Sequence, residues 1–380
     1  MPEQAVIDRV MMVRALQLAE KGLYTTEPNP RVGCVLAHGE RIVGEGWHAR
    51  AGEAHAEVNA LLQAGELARG ATAYVTLEPC SHTGKTPPCA DALIRAGVGR
   101  VVAAMQDPNP LVAGRGLARL RSAGIEVACG LLEPQAQALN PGFIKRMQSG
   151  LPFVRVKLAM SLDGRTAMAS GESQWITGAA ARSDVQRLRA RSGAVVSGAD
   201  AVLLDDSALT VRAAELGLEP PQAEAAAARQ PLRVLVDGRL RVPLGNRLFH
   251  QSGPVLVVCR QLRGRVQDYD FAGAELLTLP DSAQQHVDLQ ALLRELGSRG
   301  CNEVLVESGA GLAGAFLRAG LVDELIIYMA PRLLGSQARP LLQLPLETMA
   351  EAVDLEVTDM RAVGRDWRIT ARKVSLSESA

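Results

Sequence analysis

The residue types best suited to chemistry cluster between His55 and Cys89. One residue separates His55 from Glu57, a proline precedes Cys80, and eight residues separate Cys80 from Cys89. One imidazole and two thiolates suit a catalytic zinc ion, which keeps its fourth position for water. Zinc brings the pKa of that water close to neutrality and so makes hydroxide available. The sequence therefore predicts a zinc site made by His55, Cys80 and Cys89.

Glu57 lies too close to His55 along the chain to be a comfortable fourth ligand. We predict that it is the catalytic residue that carries a proton from water to a leaving amine. His-x-Glu followed by Pro-Cys and a second cysteine is typical of hydrolytic deaminases of nitrogen heterocycles. Their usual second spacing is Cys-x-x-Cys, from which the spacing between Cys80 and Cys89 departs.

Two other interpretations of these residues stay open. Two cysteines nine positions apart can both be packed in a core without binding a metal. A structural zinc site would need a fourth ligand, for which His82 is the nearby candidate. The other cysteines lie in or beside apolar runs, and we expect small buried side chains at Cys34, Cys129, Cys259 and Cys301.

The elements that must position these residues alternate between helix and strand. An amphipathic helix over 8–22 would bury a stripe of Val10, Val13, Leu16 and Leu18. Alternation of this kind predicts an α/β layer with helices on both faces of a largely parallel sheet. The further predicted helices cover 55–64, 89–96 and 116–123, and the predicted strands cover 32–36, 42–46, 73–77, 100–104 and 126–128.

Turn-forming residues cluster between Asn140 and Pro152, where we place a domain boundary. A second α/β unit follows, and the Ala-, Glu- and Pro-rich stretch over 213–230 is interpreted as a surface excursion, with or without a short helix, rather than a core element. We predict domains over 1–150 and 151–373 and a frayed tail over 374–380. In the second domain, predicted strands cover 153–159, 194–197, 232–236, 254–258, 303–307 and 325–328, and predicted helices cover 180–191 and 289–296.

Composition narrows the class of protein. Basic and acidic residues number 41 each, and aromatic residues make up only 3%. Nucleic-acid binding would need an excess of basic residues and rings for stacking, so we expect a small-molecule substrate. We find no signal peptide and no apolar run of about 18 residues, so we expect a cytoplasmic enzyme with no membrane partner. A homo-oligomer is left open.

Several longer segments resemble the bifunctional pyrimidine deaminase/reductase family of riboflavin biosynthesis. The long cysteine spacing is usual in that family, so the departure noted above becomes support. The resemblance extends from about residue 8 to residue 373. Its segments are PNPRVGCVLAHGERIVGEGWHARAGEAHAEVNAL, YVTLEPCSHTGKTPPCADALIRAG, DPNP, VRVKLAMSLDGRTAMASGESQWIT, SGADAVLLDDSALTVR and VLVESGAGLAGAFL.

The resemblance implies a cytidine-deaminase-like three-layer domain followed by a dihydrofolate-reductase-like domain, both of class α/β. It implies one Zn²⁺ per chain and NADPH as cofactors. The first domain would hydrolyse the 2-amino group of 2,5-diamino-6-(5-phosphoribosylamino)pyrimidin-4(3H)-one. The second would reduce the ribosyl side chain to ribityl.

The resemblance also implies two sets of residues in the second domain. The residues expected to bind the cofactor are Ala159, Trp175, Ala201, Asp205, Gly238, Gly309, Ala310, Gly311, Leu312, Ala313, Gly314 and Ala315. The residues expected to bind the substrate are Ser173, Arg189, Leu209, Arg212 and Glu307. Arginine binds phosphate well, so we predict that Arg189 and Arg212 hold the substrate phosphate.

The glycine-rich run from Gly309 to Gly314 follows a predicted strand and opens a helix. Such glycines let a backbone approach a pyrophosphate, although close packing of helix on strand explains them equally well. A Rossmann unit would need an acidic residue about 20 positions later, where Met329, Ala330 and Pro331 stand instead. The run therefore fits a phosphate cradle outside the Rossmann fold.

Some residues of this domain leave questions. Ala201 and Gly238 stand where a hydroxyl residue is expected, and each loss would remove one hydrogen bond worth about 1 kcal/mol. Lys157 and Asp163 flank the expected nicotinamide region. They either assist imine opening and protonation or form a satisfied ion pair.

Two alternative functions remain at this point. The second domain could be a non-catalytic binding module beside a working deaminase. Less favoured is a nucleic-acid base deaminase, because neutral charge and scarce aromatic residues do not suit that task.

Overall fold

The computed structural model describes residues 2–81, 88–110, 112–262 and 266–374. The chain divides into two compact units, Met1–Gly150 and Leu151–Ala380. His82 and residues 375–380 of the predicted tail lie outside the described residues. Val374 is described, and its amide donates a 3.1 Å hydrogen bond to the carbonyl oxygen of Asp354, so the predicted fraying is wrong at that residue.

The first unit is built on a five-stranded sheet. Its elements are α1 (Pro2–Glu20), β1 (Gly33–His38), β2 (Arg41–Trp47), α2 (Ala56–Ala64), a 3-10 helix (Gly65–Ala68), β3 (Thr72–Val75), α3 (Cys89–Ala96), β4 (Arg100–Ala103), α4 (Arg115–Ser122), β5 (Glu126–Cys129), α5 (Glu133–Leu139) and α6 (Pro141–Ser149). The strand order is β2-β1-β3-β4-β5. Strand β1 is antiparallel to β2 and β3, whereas β3, β4 and β5 are parallel.

Helices cover both faces of this sheet, because alternate strand residues point to opposite sides. On one face Cys34 and Val75 pack with Leu93. On the other face Val35 and Tyr74 pack with side chains of α1, α5 and α6. The result is a helix–sheet–helix arrangement of three layers.

The predicted first helix forms, but its buried face differs from the prediction. Leu16 and Leu18 are buried, whereas Val10 and Val13 are 55% and 40% exposed. The residues that complete the buried face are Met11, Met12, Ala15 and Ala19. The four residues from Val10 to Val13 are all apolar, so the periodicity of the sequence does not show which two of them face the core.

The second unit contains a nine-stranded sheet and a two-stranded ribbon. Its helices and strands are β6 (Phe153–Ser161), β7 (Arg165–Ala167), α7 (Ala179–Arg191), β8 (Ala194–Gly198), α8 (Ala199–Asp205), α9 (Pro220–Ala228), β9 (Leu232–Val236), β10 (Val255–Cys259), α10 (Val266–Phe271), β11 (Ala274–Thr278), α11 (Leu289–Ser298), β12 (Glu303–Glu307), α12 (Ala310–Arg318), β13 (Glu324–Ala330), β14 (Arg339–Pro340), β15 (Leu355–Val363) and β16 (Asp366–Lys373). Short 3-10 helices cover Ala213–Glu215, Arg247–His250 and Met349–Glu351.

The large sheet has the order β11-β10-β9-β8-β12-β6-β13-β16-β15. The first seven strands of this order, from β11 through β10, β9, β8, β12 and β6 to β13, are parallel. Strands β16 and β15 add an antiparallel edge. Two apolar clusters cover its faces, with α11 and α12 on one side and α7 on the other. The carboxyl ends of β9, β8, β12 and β6 therefore meet along one edge of the sheet.

The stretch over 213–230 is less of a surface excursion than its composition predicts. It holds α9, in which Ala223 and Ala226 are buried, and Leu216 before it is fully buried. The short helix that the interpretation allowed therefore forms. The interpretation as a surface excursion is wrong for the buried residues, because small alanine side chains let the helix pack against the body of the unit.

Among the residues described, none of the helices combines the length and apolar character needed to cross a bilayer.

Candidate zinc centre and reductase site

The three predicted zinc ligands come together from three separate elements of the first unit. His55 is the residue that caps the start of α2, Cys89 is the first residue of α3, and Cys80 lies in the loop after β3. Their ligand atoms all lie within 4.8 Å of one another. Nδ1 of His55 is 3.3 Å from Sγ of Cys89 and 3.7 Å from Sγ of Cys80.

Local structure explains how α2 reaches this position. It packs so closely on β2 that a Cβ atom at Gly46 would lie 2.2 Å from the carbonyl oxygen of Ala56. No side chain larger than hydrogen fits at Gly46, so this glycine allows the approach. The close contact fixes the first turn of α2, which carries Glu57 and follows His55.

The electrostatics of the cluster favour a thiolate at Cys80. A hydrogen bond from the Cys89 thiol, together with His55, lowers the pKa of Cys80 well below that of an ordinary thiol. The backbone amide of Cys89 at the start of α3 also donates to Sγ of Cys80, at 3.3 Å. The pKa of Cys89 is raised because its thiol donates a hydrogen bond to Cys80 and because the thiol is buried.

The donor set fits zinc. One imidazole nitrogen and two sulfurs are the soft and borderline ligands that this ion prefers. Within the described ranges, no fourth histidine, cysteine or carboxylate joins the group. Three protein ligands leave one position open, which is the arrangement of a catalytic site. The structural-site alternative depends on His82, which lies outside the described residues.

Glu57 is buried beside this cluster, with only 3% of its surface exposed. Burial, together with the negative charge at Cys80, raises the pKa of Glu57 to about 7. A carboxyl group with a pKa near neutrality can both accept and release a proton under working conditions.

His48 and Asn29 also belong to this site, and the sequence reasoning missed them. The ring of His48 packs edge-on against the ring of His55, with 5.3 Å between centroids. Nδ1 of His48 donates to the carbonyl oxygen of Ala54 at 3.1 Å, and Nε2 accepts from Nδ2 of Asn29 at 3.0 Å. Burial lowers the pKa of His48, which favours the neutral ring, and the two hydrogen bonds hold this ring against His55.

In the second unit, the predicted cofactor residues gather at one edge of the sheet. Ala159 lies near the end of β6, Ala201 and Asp205 lie in α8 directly after β8, and Gly238 and Gly309 follow β9 and β12. Ligands of open α/β sheets bind beyond the carboxyl ends of strands, where the chain leaves neighbouring strands in opposite directions. Here the chain leaves β8 towards β9 and leaves β12 towards β13.

Different glycines of the run suit the two purposes that the sequence left open. Gly309 caps the start of α12 without a side-chain hydrogen bond, and a Cβ atom there would meet nothing within 4 Å. Its surroundings can therefore admit a phosphate at the helix start. At Gly314 a Cβ atom would lie 2.4 Å from the carbonyl oxygen of Gln343, so this glycine serves packing. Ala310 to Ala315 occupy the first turns of α12.

Two further predicted residues lie on loops beside α8. Oγ of Ser173 donates to Oδ1 of Asp205 at 2.9 Å, which joins a predicted substrate residue to a predicted cofactor residue. Trp175 is 61% exposed, with the guanidinium of Arg182 4.5 Å from its ring centroid. Arg332 donates to the carbonyl oxygen of Trp175 at 2.8 Å, which holds the backbone of Trp175 in place.

Arg189 is engaged inside the protein. Its Nε and Nη2 donate to the two carboxylate oxygens of Glu307 at 2.6 and 2.9 Å, and its Nη1 donates to the carbonyl oxygen of Thr210 at 3.0 Å. Only 13% of the Arg189 side chain is exposed. This arrangement argues against Arg189 as a phosphate ligand, because Glu307 already neutralises its charge. It indicates instead that Arg189 orients Glu307.

Lys157 lies opposite Glu307 in the register of β6 and β12. Burial lowers the pKa of Lys157, while the nearby carboxylate of Glu307 acts in the other direction. Asp163 is not its partner. Asp163 accepts from the amides of Leu334 and Gly335, at 3.1 and 2.8 Å, and from the hydroxyl of Ser161. The ion-pair interpretation is therefore wrong for Asp163, which fastens the loop after β13.

Arg212 and Leu209 differ in what they offer a ligand. The Arg212 side chain is 45% exposed and pairs with Glu215, with 2.6 Å between Nε and Oε1. Leu209 is buried in the apolar cluster that includes α7, with a backbone φ of 55°. Of the two, only Arg212 presents a charged group to solvent.

Comparison with known protein families agrees with this division. The zinc-binding region of cytidine and deoxycytidylate deaminases matches residues 6–105, and the RibD C-terminal domain matches residues 152–369. Riboflavin biosynthesis protein RibD of Escherichia coli is 54% identical over 365 residues, covering 94% of this chain and 97% of that protein. The RibD protein of Bacillus amyloliquefaciens is 40% identical over 367 residues, covering 96% of each.

Solved structures agree as well. Form 1 of Acinetobacter baumannii RibD has a TM-score of 0.90 at 46% identity, with 98% of this chain and 100% of that chain covered. The diaminohydroxyphosphoribosylaminopyrimidine deaminase/5-amino-6-(5-phosphoribosylamino)uracil reductase of Thermotoga maritima has a TM-score of 0.84 at 32% identity, with 97% and 99% covered.

Fold and site together define an enzyme with a cytidine-deaminase-like zinc unit and a reductase unit. The chain belongs to the RibD family of riboflavin biosynthesis. It is a deaminase and a reductase, with zinc and NADPH as cofactors. The predicted family, fold class and two activities are thereby confirmed, and the alternative of a non-catalytic second domain is not supported.

Proposed function

We propose that residues 1–150 form the deaminase and residues 151–373 the reductase, acting in sequence on 2,5-diamino-6-(5-phosphoribosylamino)pyrimidin-4(3H)-one. The first step consumes water, releases ammonia and leaves a carbonyl group at the former amino position. The second opens the ribosyl group and reduces it to ribityl. The observation that carries the proposal is the convergence of His55, Cys80 and Cys89 beside the buried carboxyl group of Glu57.

In the deaminase, His55, Cys80 and Cys89 would hold the metal. Zinc, when bound, makes water acidic enough to supply hydroxide near neutral pH. Glu57, whose buried carboxyl group has a pKa of about 7, would accept a proton from water and donate a proton to the departing amine. His48 keeps the His55 ring in orientation through the edge contact.

In the reductase, we assign the cofactor to the edge formed by the ends of β6, β8, β9 and β12. When bound there, NADPH would supply the hydride for reduction of the opened ribosyl group. The Arg189–Glu307 pair keeps a carboxylate beside Lys157, and we place this amine, whose pKa burial lowers, where the imine would be protonated. Arg212 is the exposed cation that we assign to the substrate phosphate.

We propose a small phosphorylated pyrimidine as the substrate and not nucleic acid, in keeping with equal numbers of basic and acidic residues. A homo-oligomer stays a prediction that light scattering of the purified chain can test.

The experiment that tests the zinc proposal compares three variants of the whole chain. Cys89→Ser removes a ligand and should deplete zinc and abolish ammonia release. Glu57→Gln should keep zinc yet lose ammonia release, because it removes only the proton carrier. Cys129→Ser is the matched control, since Cys129 lies outside the cluster. The expected burial of Cys129 is wrong, because β5 is an edge strand of its sheet and the residue is exposed. A wild-type chain without zinc, or a Cys89→Ser variant that deaminates normally, would overturn the assignment.

A further inference from the structure

Glu78 is a buried carboxylate without a cationic partner. It lies between β3 and Cys80, and 3% of its surface is exposed. Among the residues described, no lysine or arginine forms an ion pair with it; the ion pairs of this unit involve other acids, such as Asp8 and Glu45. An unpaired charge in a protein interior is costly unless hydrogen bonds replace those of water. The hydrogen-bond partners of Glu78 therefore indicate its structural role.

Four backbone amides surround this carboxylate. Oε2 accepts from the amides of Asp107 and Gly114 at 3.1 and 2.8 Å. Oε1 accepts from the amides of Gly116 and Leu117 at 2.8 and 3.3 Å. Hydrogen bonds to a charged group are stronger than those between neutral groups, so this set offsets the burial of the charge.

These donors belong to the loop after β4 and to the first turn of α4. Gly114 caps α4 without a side-chain hydrogen bond of its own, so Glu78 supplies the missing acceptor from another segment. The negative charge also meets the positive end of the helix dipole. One side chain thus connects the loop that carries Cys80 to the two segments that face it.

The contact continues through the backbone next to Cys80. A Cβ atom at Gly116 would lie 1.9 Å from the carbonyl oxygen of Pro79, so the start of α4 rests directly on the Pro79–Cys80 peptide. The amide of Glu78 also donates to the carbonyl oxygen of Met105 at 3.0 Å. The backbone is therefore held on both sides within two residues of Cys80.

Cys80 needs such support more than the other ligands do. His55 and Cys89 stand at the first turns of helices, whereas Cys80 lies in a loop. Groups that orient metal ligands typically affect metal affinity by about 10- to 100-fold.

We propose that Glu78 is a positioning residue for the zinc centre, which fixes Cys80 by anchoring its loop to the 107–117 segment. The proposal rests on the assignment of zinc to His55, Cys80 and Cys89. It concerns the four amide hydrogen bonds and not a protonation change at Glu78.

The test uses Glu78→Gln in the full chain. The amide group keeps the shape of the side chain but replaces one acceptor oxygen with a donor that faces backbone N–H groups. We expect zinc affinity, measured by competition with a chromogenic chelator, to fall about 10- to 100-fold. We expect the kcat for ammonia release at saturating zinc to fall, and the reductase activity of the same chain to stay unchanged.

Asp8→Asn is the matched control. Asp8 is also a buried carboxylate of the first unit, and it accepts from Arg100 and Tyr74. Arg100 is the first residue of β4, so the Asp8–Arg100 pair lies at the amino ends of the parallel strands. The Cys80 loop follows the carboxyl end of β3, on the opposite side. Asp8→Asn should lower the melting temperature while leaving zinc affinity within about twofold of the wild type.

Glu78→Asp keeps the proposal testable if the Gln variant does not fold. The aspartate retains the charge, but its side chain is one methylene group shorter and cannot reach all four amides. Zinc affinity should therefore fall again. If either folded variant binds zinc as the wild type does and loses only thermal stability, as Asp8→Asn does, Glu78 is structural and the proposal is wrong. A wild-type chain that binds no zinc would instead contradict the zinc assignment itself.

Discussion

Substitution of Arg212 separates phosphate recognition from ordinary surface charge. The Arg212 side chain is 45% exposed and its ion-pair partner Glu215 is 44% exposed. An exposed pair of this kind contributes at most about 1 kcal/mol to stability. For a unit of this size, that corresponds to a shift in Tm of at most about 4 °C. Arg212→Ala should therefore fold nearly as well as the wild type.

The expected effect on the substrate is much larger. Loss of a hydrogen bond from a charged group costs about 1.5–3 kcal/mol, which corresponds to about a 10- to 100-fold change in binding. We predict this rise in the KM of the reductase for its phosphorylated substrate, with the Kd of NADPH and the rate of ammonia release close to wild type. Glu215→Gln should lower the same KM, because it removes a carboxylate that competes with the phosphate.

The assay follows NADPH oxidation with the deaminated intermediate, alongside fluorescence titration with NADPH. Arg361→Ala is the control, since Arg361 is 55% exposed and pairs with Asp359 in the same unit. If the KM of Arg212→Ala matches that of Arg361→Ala, Arg212 is a solvated surface charge. If NADPH binding collapses while the KM is unchanged, Arg212 belongs to the cofactor site.

Three further predictions address stability, cofactor and domain independence. Arg189→Gln leaves Glu307 buried without its partner, and chemical denaturation should show a loss of about 3–5 kcal/mol; a loss below about 1 kcal/mol would refute the orienting role. Gly238→Ser should tighten NADPH binding several-fold, because a Cβ atom there meets only ordinary contacts at 3.8–3.9 Å and the hydroxyl adds about 1 kcal/mol; Gly238→Ala is its control, and equal Kd values for both would refute it. Residues 1–150 and 151–380 should each retain their own activity when expressed separately; two folded but inactive halves would show that each site needs the other unit.

The zinc centre was predictable because its chemistry is encoded locally. Each ligand stands at the start of a helix or after a strand, and helix–strand alternation reveals those positions. The strand Glu303–Glu307 and the helix Cys89–Ala96 were predicted with the bounds that the structure shows.

The structural features that were not predicted from the sequence depend mostly on contacts between residues far apart along the chain. Arg189 reaches Glu307, which lies 118 residues later, and nothing in the sequence around Arg189 signals that partner. Glu78 accepts from amides 29 to 39 residues away, and a backbone donor leaves no trace in residue type. Strand β15 was missed because its alternation of apolar and polar residues changes phase in the middle, where the register shifts between Val357 and Asp359.

The most direct test of the account supplies one purified chain with zinc, NADPH and the diaminopyrimidinone ribosylamine phosphate. We predict one ammonia released for each NADPH oxidised. Glu57→Gln should give neither product from this substrate, yet oxidise NADPH at the wild-type rate when the deaminated intermediate is supplied. Ammonia release by the wild type without NADPH oxidation, or by Glu57→Gln at the wild-type rate, would contradict the account.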